Sequence, residues 1–145
     1  MKITIMEPAE GEEDEIIIRC RHMDKQLLKL IYAVKAGQDK ITAVQNGNYF
    51  QVMPEEIYYF EAVDNRVFLY LEKEVYETKL KLYELENIFQ GTDFFRASKS
   101  CIVNLAKVRS LSPAFNGRFE ALMKNGEKVI ISRQYVPVLK EKLGL

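Results

Sequence analysis

The sequence predicts a mainly β domain of the α+β class carrying two helices, and three observations predict it. Beyond position 40, apolar and polar residues alternate over short runs of four to six, the period of half-buried strands. Turn signals punctuate those runs at Asn46-Gly47, Val63-Asp64-Asn65, Asn116-Gly117 and Asn125-Gly126. Only two segments, Met23 to Ala36 and Leu82 to Phe89, repeat apolar residues at spacings of three and four.

The opening MKITIM reads as a strand, followed by the acidic turn EPAEGEEDE and a second β-branched run from Ile16 to Cys20. Leu27, Leu28, Leu30, Ile31 and Val34 then lie on one helical face, with Asp24 at the N-cap and Gly37 closing the far end. A hairpin is expected from Ile41 to Val52, because Asn-Gly supplies the two positive φ angles of a type I′ turn. Pro54 breaks the chain, and strands at Ile57 to Ala62, Arg66 to Leu71 and Val75 to Leu80 form a meander. Leu82, Leu85, Ile88 and Phe89 share a face of a short helix that Gly91 ends and Lys81 caps poorly. Strands are expected again at Cys101 to Leu105, Val108 to Ser112, Phe119 to Met123 and Val129 to Ser132.

The 145 residues, 48% apolar and 29% charged, match one globular domain with a modest extension. No run approaches the roughly 18 apolar residues of a membrane span, and the acidic segment near Met1 is unlike a secretory signal, so a cytoplasmic location is expected. Cys20 and Cys101 have neither metal-knuckle nor redox spacing and read as buried free thiols. The formal net charge of zero hides a gradient: −3 over residues 1–60, −4 over 61–95 and +7 over 96–145. A C-terminal third this cationic is the footprint of a surface that displaces counterions from phosphate.

Enzyme constellations are missing from the sequence. His22 is the single histidine and reads as a surface residue at a helix start, which removes multi-histidine metal sites. No phosphate-binding glycine loop, HExxH, GxSxG or EF-hand pattern occurs, and Glu55-Glu56 or Glu84 and Glu86 diverge on a strand or helix. No cofactor, metal or catalytic residue is therefore expected. The informative segments are FFRASKSCIVNLAK at 94–107 and ISRQY at 131–135, which place hydroxyl, cationic and amide side chains at strand ends. Small donors such as Ser98, Ser100 and Ser132 suit phosphates, and longer ones such as Lys99, Arg133 and Gln134 reach base edges.

From about residue 52 onward the chain resembles the LytTR DNA-binding domain, through IYYFEAVDNRVFLYL, LYELENIF, FFRASKSCIVNLAKV and ISRQYVPVLKEKL in that order. The resemblance implies an elongated arrangement of small antiparallel β-sheets with a short helix, whose loops enter successive major grooves and bend the duplex. It implies base reading by Lys99, Gln134 and Asn65 or Arg66, and phosphate or loop-ordering contacts by Ser98, Ser100, Ser132 and Arg133. Lys107 and Arg118 are weaker DNA candidates, and Arg96 is either a DNA contact or the partner of a carboxylate such as Glu61. Asn104 is expected to order its own turn. Lys99 stands before Ser100 where the family commonly has histidine or arginine, and Gln134 where it frequently has a basic residue, which bears on the bases read.

The expected organisation is an N-terminal β-α extension over 1–50, for dimerisation or partner binding, and a LytTR-type domain over 51–145. The first 50 residues are too few for a phosphoacceptor receiver domain of about 110–120 residues. The expected partners are double-stranded DNA as a pair of direct repeats, a membrane-protein regulator, and a second copy of the chain. The alternative is a β module binding single-stranded nucleic acid or peptide, with Tyr49, Phe50 or Phe115 as stacking residues.

Overall fold

A computed structural model describes residues 2–38 and 40–145. Helix α1 (Lys25–Gln38) begins where the Asp24 carboxylate accepts a hydrogen bond from the Leu27 N–H at 2.8 Å, as an N-cap does. Gly37, expected to end this helix, lies inside it. Strands β1 (Ile41–Gln45) and β2 (Asn48–Val52) pair through Asn46 (φ 51°) and Gly47 (φ 78°), the left-handed pair a type I′ turn requires. Asp64 (φ 51°) and Asn65 (φ 62°) make the equivalent turn between β3 (Tyr59–Val63) and β4 (Arg66–Tyr70). Strand β5 (Val75–Thr78) leads to α2 (Leu82–Ile88), where Glu84 accepts from the Lys81 N–H at 3.2 Å and Lys81 has no oxygen to return the bond. Strands β6 (Phe94–Ser98), β7 (Cys101–Asn104), β8 (Val108–Pro113), β9 (Phe119–Met123) and β10 (Lys128–Ile131) precede helix α3 (Val136–Lys142).

All pairings are antiparallel, in a seven-stranded sheet ordered β2-β1-β5-β4-β3-β7-β6 and a three-stranded sheet ordered β10-β9-β8. The expected mixture of small antiparallel sheets and short helices is thus present. Residue 50 falls within β2, and the β1–β2 hairpin joins the same sheet as the later strands through Val44 opposite Glu77.

The large sheet is covered on both faces. Phe60, Leu69, Phe94 and Ile102 pack with Leu82 and Leu85 of α2 and with Phe89 at its C-terminal cap on one side. On the other, Phe95, Ala97, Cys101 and Val103 meet Ala121, Met123 and Ile131 of the small sheet and Val136 and Leu139 of α3. Every residue of β7 is consequently buried, and Asn104 satisfies itself by donating to the Ile57 carbonyl at 2.9 Å and accepting from the Ala106 N–H at 3.1 Å. The expected turn-ordering role of Asn104 is present, with an added tie across the sheet. Tyr59 stacks on Tyr70 and donates to Glu127 at 2.7 Å, which fastens the β9–β10 turn to the large sheet.

Further expectations fail in the N-terminal segment. The strand expected from Met1, itself outside the described residues, and the one expected over 16–20 do not form: no residue of 2–24 joins a ladder. A two-stranded ribbon with no third strand or covering layer is marginal, and the rest of the chain buries none of this segment. Cys20, expected to be buried, is exposed with it, whereas Cys101 is buried. Strand β6 and helix α3 were not expected as separate elements.

Burial pushes the Cys101 thiol up to about 12, with the nearby Glu61 carboxylate adding to the effect and Arg96 opposing it. The thiol therefore stays protonated through neutral pH, and its linkage lowers stability only as pH climbs above the ordinary thiol range, where the unfolded chain alone loses the proton. In a Cys20→Ser chain, the remaining thiol should stay unmodified by a disulfide reagent at pH 8 until denaturant is added; rapid labelling of the folded protein would contradict this burial.

Candidate nucleic-acid interface

Three segments meet at one end of the seven-stranded sheet. Because β3 runs antiparallel to β7, with Glu61 opposite Cys101, the β3–β4 and β6–β7 turns emerge at the same end. The Ala62 N–H donates to the Ser100 carbonyl at 2.8 Å and holds the two turns together. The third segment arrives from the small sheet, where Ser132 donates to the Ala97 carbonyl from its N–H at 2.8 Å and its hydroxyl at 3.3 Å. Asn65-Arg66, Ser98-Lys99-Ser100 and Ser132-Arg133-Gln134 are brought into one neighbourhood by these backbone contacts.

The serines are occupied within the loops. Ser98 accepts from the Ser100 N–H at 3.3 Å and its hydroxyl lies 3.4 Å from that of Ser100, so both order the tight turn that presents Lys99. Arg96 reaches the same turn from below, donating to the Lys99 carbonyl at 2.7 Å while its Nε contacts Glu86 of α2 at 2.6 Å. The expected partner, Glu61, is excluded by the pleat: Arg96 lies opposite Ile102 and Glu61 opposite Cys101, on the other face of the sheet. Arg96 is only 18% exposed in its side chain and acts here as a brace of the Lys99 turn.

The β8–β9 connection supplies a fourth component. Asn116 (φ 60°) and Gly117 (φ 73°) both take left-handed backbone, and Asn116 and Arg118 line a solvent-open depression together with Ser132, Arg133 and Gln134. Gly117 lies directly against the Arg133 side chain, since a Cβ there would stand 2.9 Å from the Arg133 Cδ and 3.1 Å from its Cγ. Sequence reasoning marked Asn116-Gly117 as a turn and passed over its role as the seat of Arg133. The cationic Arg118 directly after a glycine turn was the available signal.

Not every candidate joins the cluster. Lys107 follows the far end of β7 and sits with its Nζ 5.4 Å from the Tyr58 ring, at the opposite end of the sheet from Lys99. Arg66 is in the cluster but engaged, with Glu77 at 2.6 Å and the Phe68 ring at 5.2 Å. Among the described residues the ion pairs are Arg66–Glu77, Arg96–Glu86 and Lys128–Glu120, so Lys99, Arg118 and Arg133 belong to none of them. Lys99, Arg133 and Gln134 are exposed. Also among the described residues, no group of three or more His, Cys, Asp and Glu is placed to hold a metal ion, and no helix is long and apolar enough to cross a membrane.

Comparison with known proteins agrees with this arrangement. The family model described as the LytTr DNA-binding domain matches residues 47–144. The sensory transduction protein LytT of Enterococcus faecalis is 32% identical over 109 residues, which cover 75% of this chain and 42% of that protein. The transcriptional regulatory protein YpdB of Escherichia coli K12 is 29% identical over 113 residues, covering 77% and 46%. The chain thus matches less than half the length of these curated relatives. Among solved structures, a LytTr DNA-binding domain from a Bacillus cereus response regulator superposes with a TM-score of 0.71 at 27% identity, covering 75% of this chain and all of that one. The sheet order, the convergent loops and a family match over two thirds of the residues lead to one assignment: this chain belongs to the LytTr DNA-binding domain family.

Proposed function

We propose that the chain is a sequence-specific transcriptional regulator that reads double-stranded DNA in the major groove with its loops and bends the duplex. The observation that carries this reading is the convergence of Lys99, Arg118 and Arg133, cations outside any ion pair among the described residues, on neighbouring loops at one sheet end. Unpaired cations on short, internally braced turns are pre-organised to displace counterions and meet phosphates without breaking existing contacts.

Lys99, Arg133, Gln134 and Asn65 take the base-reading roles in this proposal, because their side chains are long or forked donors on exposed turns. Ser98, Ser100 and Ser132 order the loops, Arg96 supports the Lys99 turn, and Arg118 contacts phosphate. The chain acts in the cytoplasm, on paired direct repeats, as a homodimer and under a membrane-protein regulator. Stacking of single strands is less well supported, because Tyr49 and Phe50 lie on β2, at the sheet edge opposite β6, while Phe115 stands apart on the β8–β9 turn. These aromatics make no continuous platform.

Selection of binding sites from random duplex DNA, followed by fluorescence titration, tests the reading. Affinity should fall steeply with salt, and a preference for single strands or a flat sequence profile would refute it. Lys99→Ala should cost about 1–3 kcal/mol and relax preference at one position, while Arg118→Ala should weaken all sequences alike and lower the salt slope by about one.

Gly117→Ala adds a Cβ that collides with the Arg133 side chain and places it on left-handed backbone, at a conformational cost of roughly 1 kcal/mol. Its affinity should drop several-fold with the fold retained by circular dichroism, and unchanged binding would show that Arg133 needs no fixed seat. Gln134 offers the donor and acceptor pair that suits adenine, so sites selected with Gln134→Ala should lose one adenine preference and keep the rest.

A further inference from the structure

The expected N-terminal strands leave an unresolved physical problem, since their apolar side chains are exposed in the single chain: Ile3 by 84%, Ile5 by 92%, and Ile16 and Ile17 by 65% each. The two runs are nonetheless neighbours. Lys2, Thr4 and Met6 line one depression together with Ile17 and Arg19, so 2–6 and 16–20 lie side by side about the turn in which Glu12 bonds to Ala9. The alternate residues Ile3, Ile5, Ile16 and Ile18 belong to the opposite face by the period of two. One face is thus β-branched and apolar while the other is mixed.

We propose that this N-terminal ribbon is a self-association surface, and that its occupant is the same ribbon of a second copy of the chain. The runs 2–6 and 16–20 form no ladder in the single chain, since an isolated pair of strands is marginal in water, whereas two pairs packed through their apolar faces bury that surface. The charges select a second copy as the partner. The turn end of the ribbon carries Glu7, Glu10, Glu12, Glu13, Asp14 and Glu15, and the other end carries Lys2, Arg19, Arg21 and Lys25. Two ribbons related by a twofold axis and laid antiparallel, apolar face to apolar face, set each acidic end against a basic one, the self-complementarity an isologous dimer requires.

This inference specifies the homodimer of the functional reading above, and its failure is separable from failure of DNA binding because it is read on the free protein. Sedimentation equilibrium of the chain without DNA should show a concentration-dependent species of twice the 16.9 kDa chain mass. Ile5→Lys should leave only the monomer, and Arg19→Glu with Arg21→Glu should weaken the dimer at least tenfold. Since these side chains are exposed in the single chain, the variants should keep the wild-type circular dichroism and the wild-type affinity for a single binding site. A wild-type chain that is monomeric at every concentration, or an Ile5→Lys chain as dimeric as wild type, would overturn the proposal.

Discussion

The Ala97 carbonyl is the hinge of the arrangement. Strand β6 is an edge of the seven-stranded sheet, and its pairing with β7 shifts between Arg96 and Ser98, which leaves Ala97 without a ladder partner at the bulge. Ala97 is fully buried, so an unmet carbonyl there would cost about 1–3 kcal/mol. Ser132 meets it twice, from its N–H and its hydroxyl, and in doing so fixes the end of β10 against the end of β6. Lys99 and Arg133 are distant in sequence and contributed by different sheets. They become neighbours because one buried acceptor required a donor.

That dependence explains what could be read from the residues in advance. Hairpin turns announce themselves locally, and Asn46-Gly47 and Asp64-Asn65 sit where positive φ is needed. Strands β1 and β4 alternate because one side of each is less covered. Strand β7 is covered on both sides by α2 and by the small sheet with α3, so Cys-Ile-Val-Asn carries no alternation, and β6 differs in Arg96, which reaches Glu86 of α2, and in Ser98 at its end. Helix α3 spans only seven residues and opens with proline at its start, too short for its period to emerge from the preceding motif.

The candidate site was legible as residue types and less so as roles. Short hydroxyls beside cations marked loops that the fold brings together, yet which cation is free depends on tertiary partners. Arg66 faces Glu77 across the β4–β5 ladder, and Arg96 is carried by the pleat to Glu86 instead of Glu61. Lys107, carried over by the resemblance, stands at the other end of the sheet, because a cationic stretch of sequence says nothing about which end of a sheet receives each side chain. Gly117 could be recognised as a turn residue, but its function as a seat exists only once Arg133 is folded over it.

These roles divide the cations by the work each does before any partner arrives. Exposed ion pairs are screened by water and contribute little, so Arg66 remains recruitable by releasing Glu77. Arg96 is different, since its guanidinium also supports the Lys99 carbonyl, and withdrawing it would loosen the turn it holds. Lys99, Arg118 and Arg133 need neither release nor rearrangement. In the proposed interface these cations are thus graded: a core of unpaired ones on braced turns and a rim of engaged ones. In that order of recruitment the core fixes where the loops sit, and the rim is able to adjust to the local shape of a ligand without disturbing the sheet end beneath it.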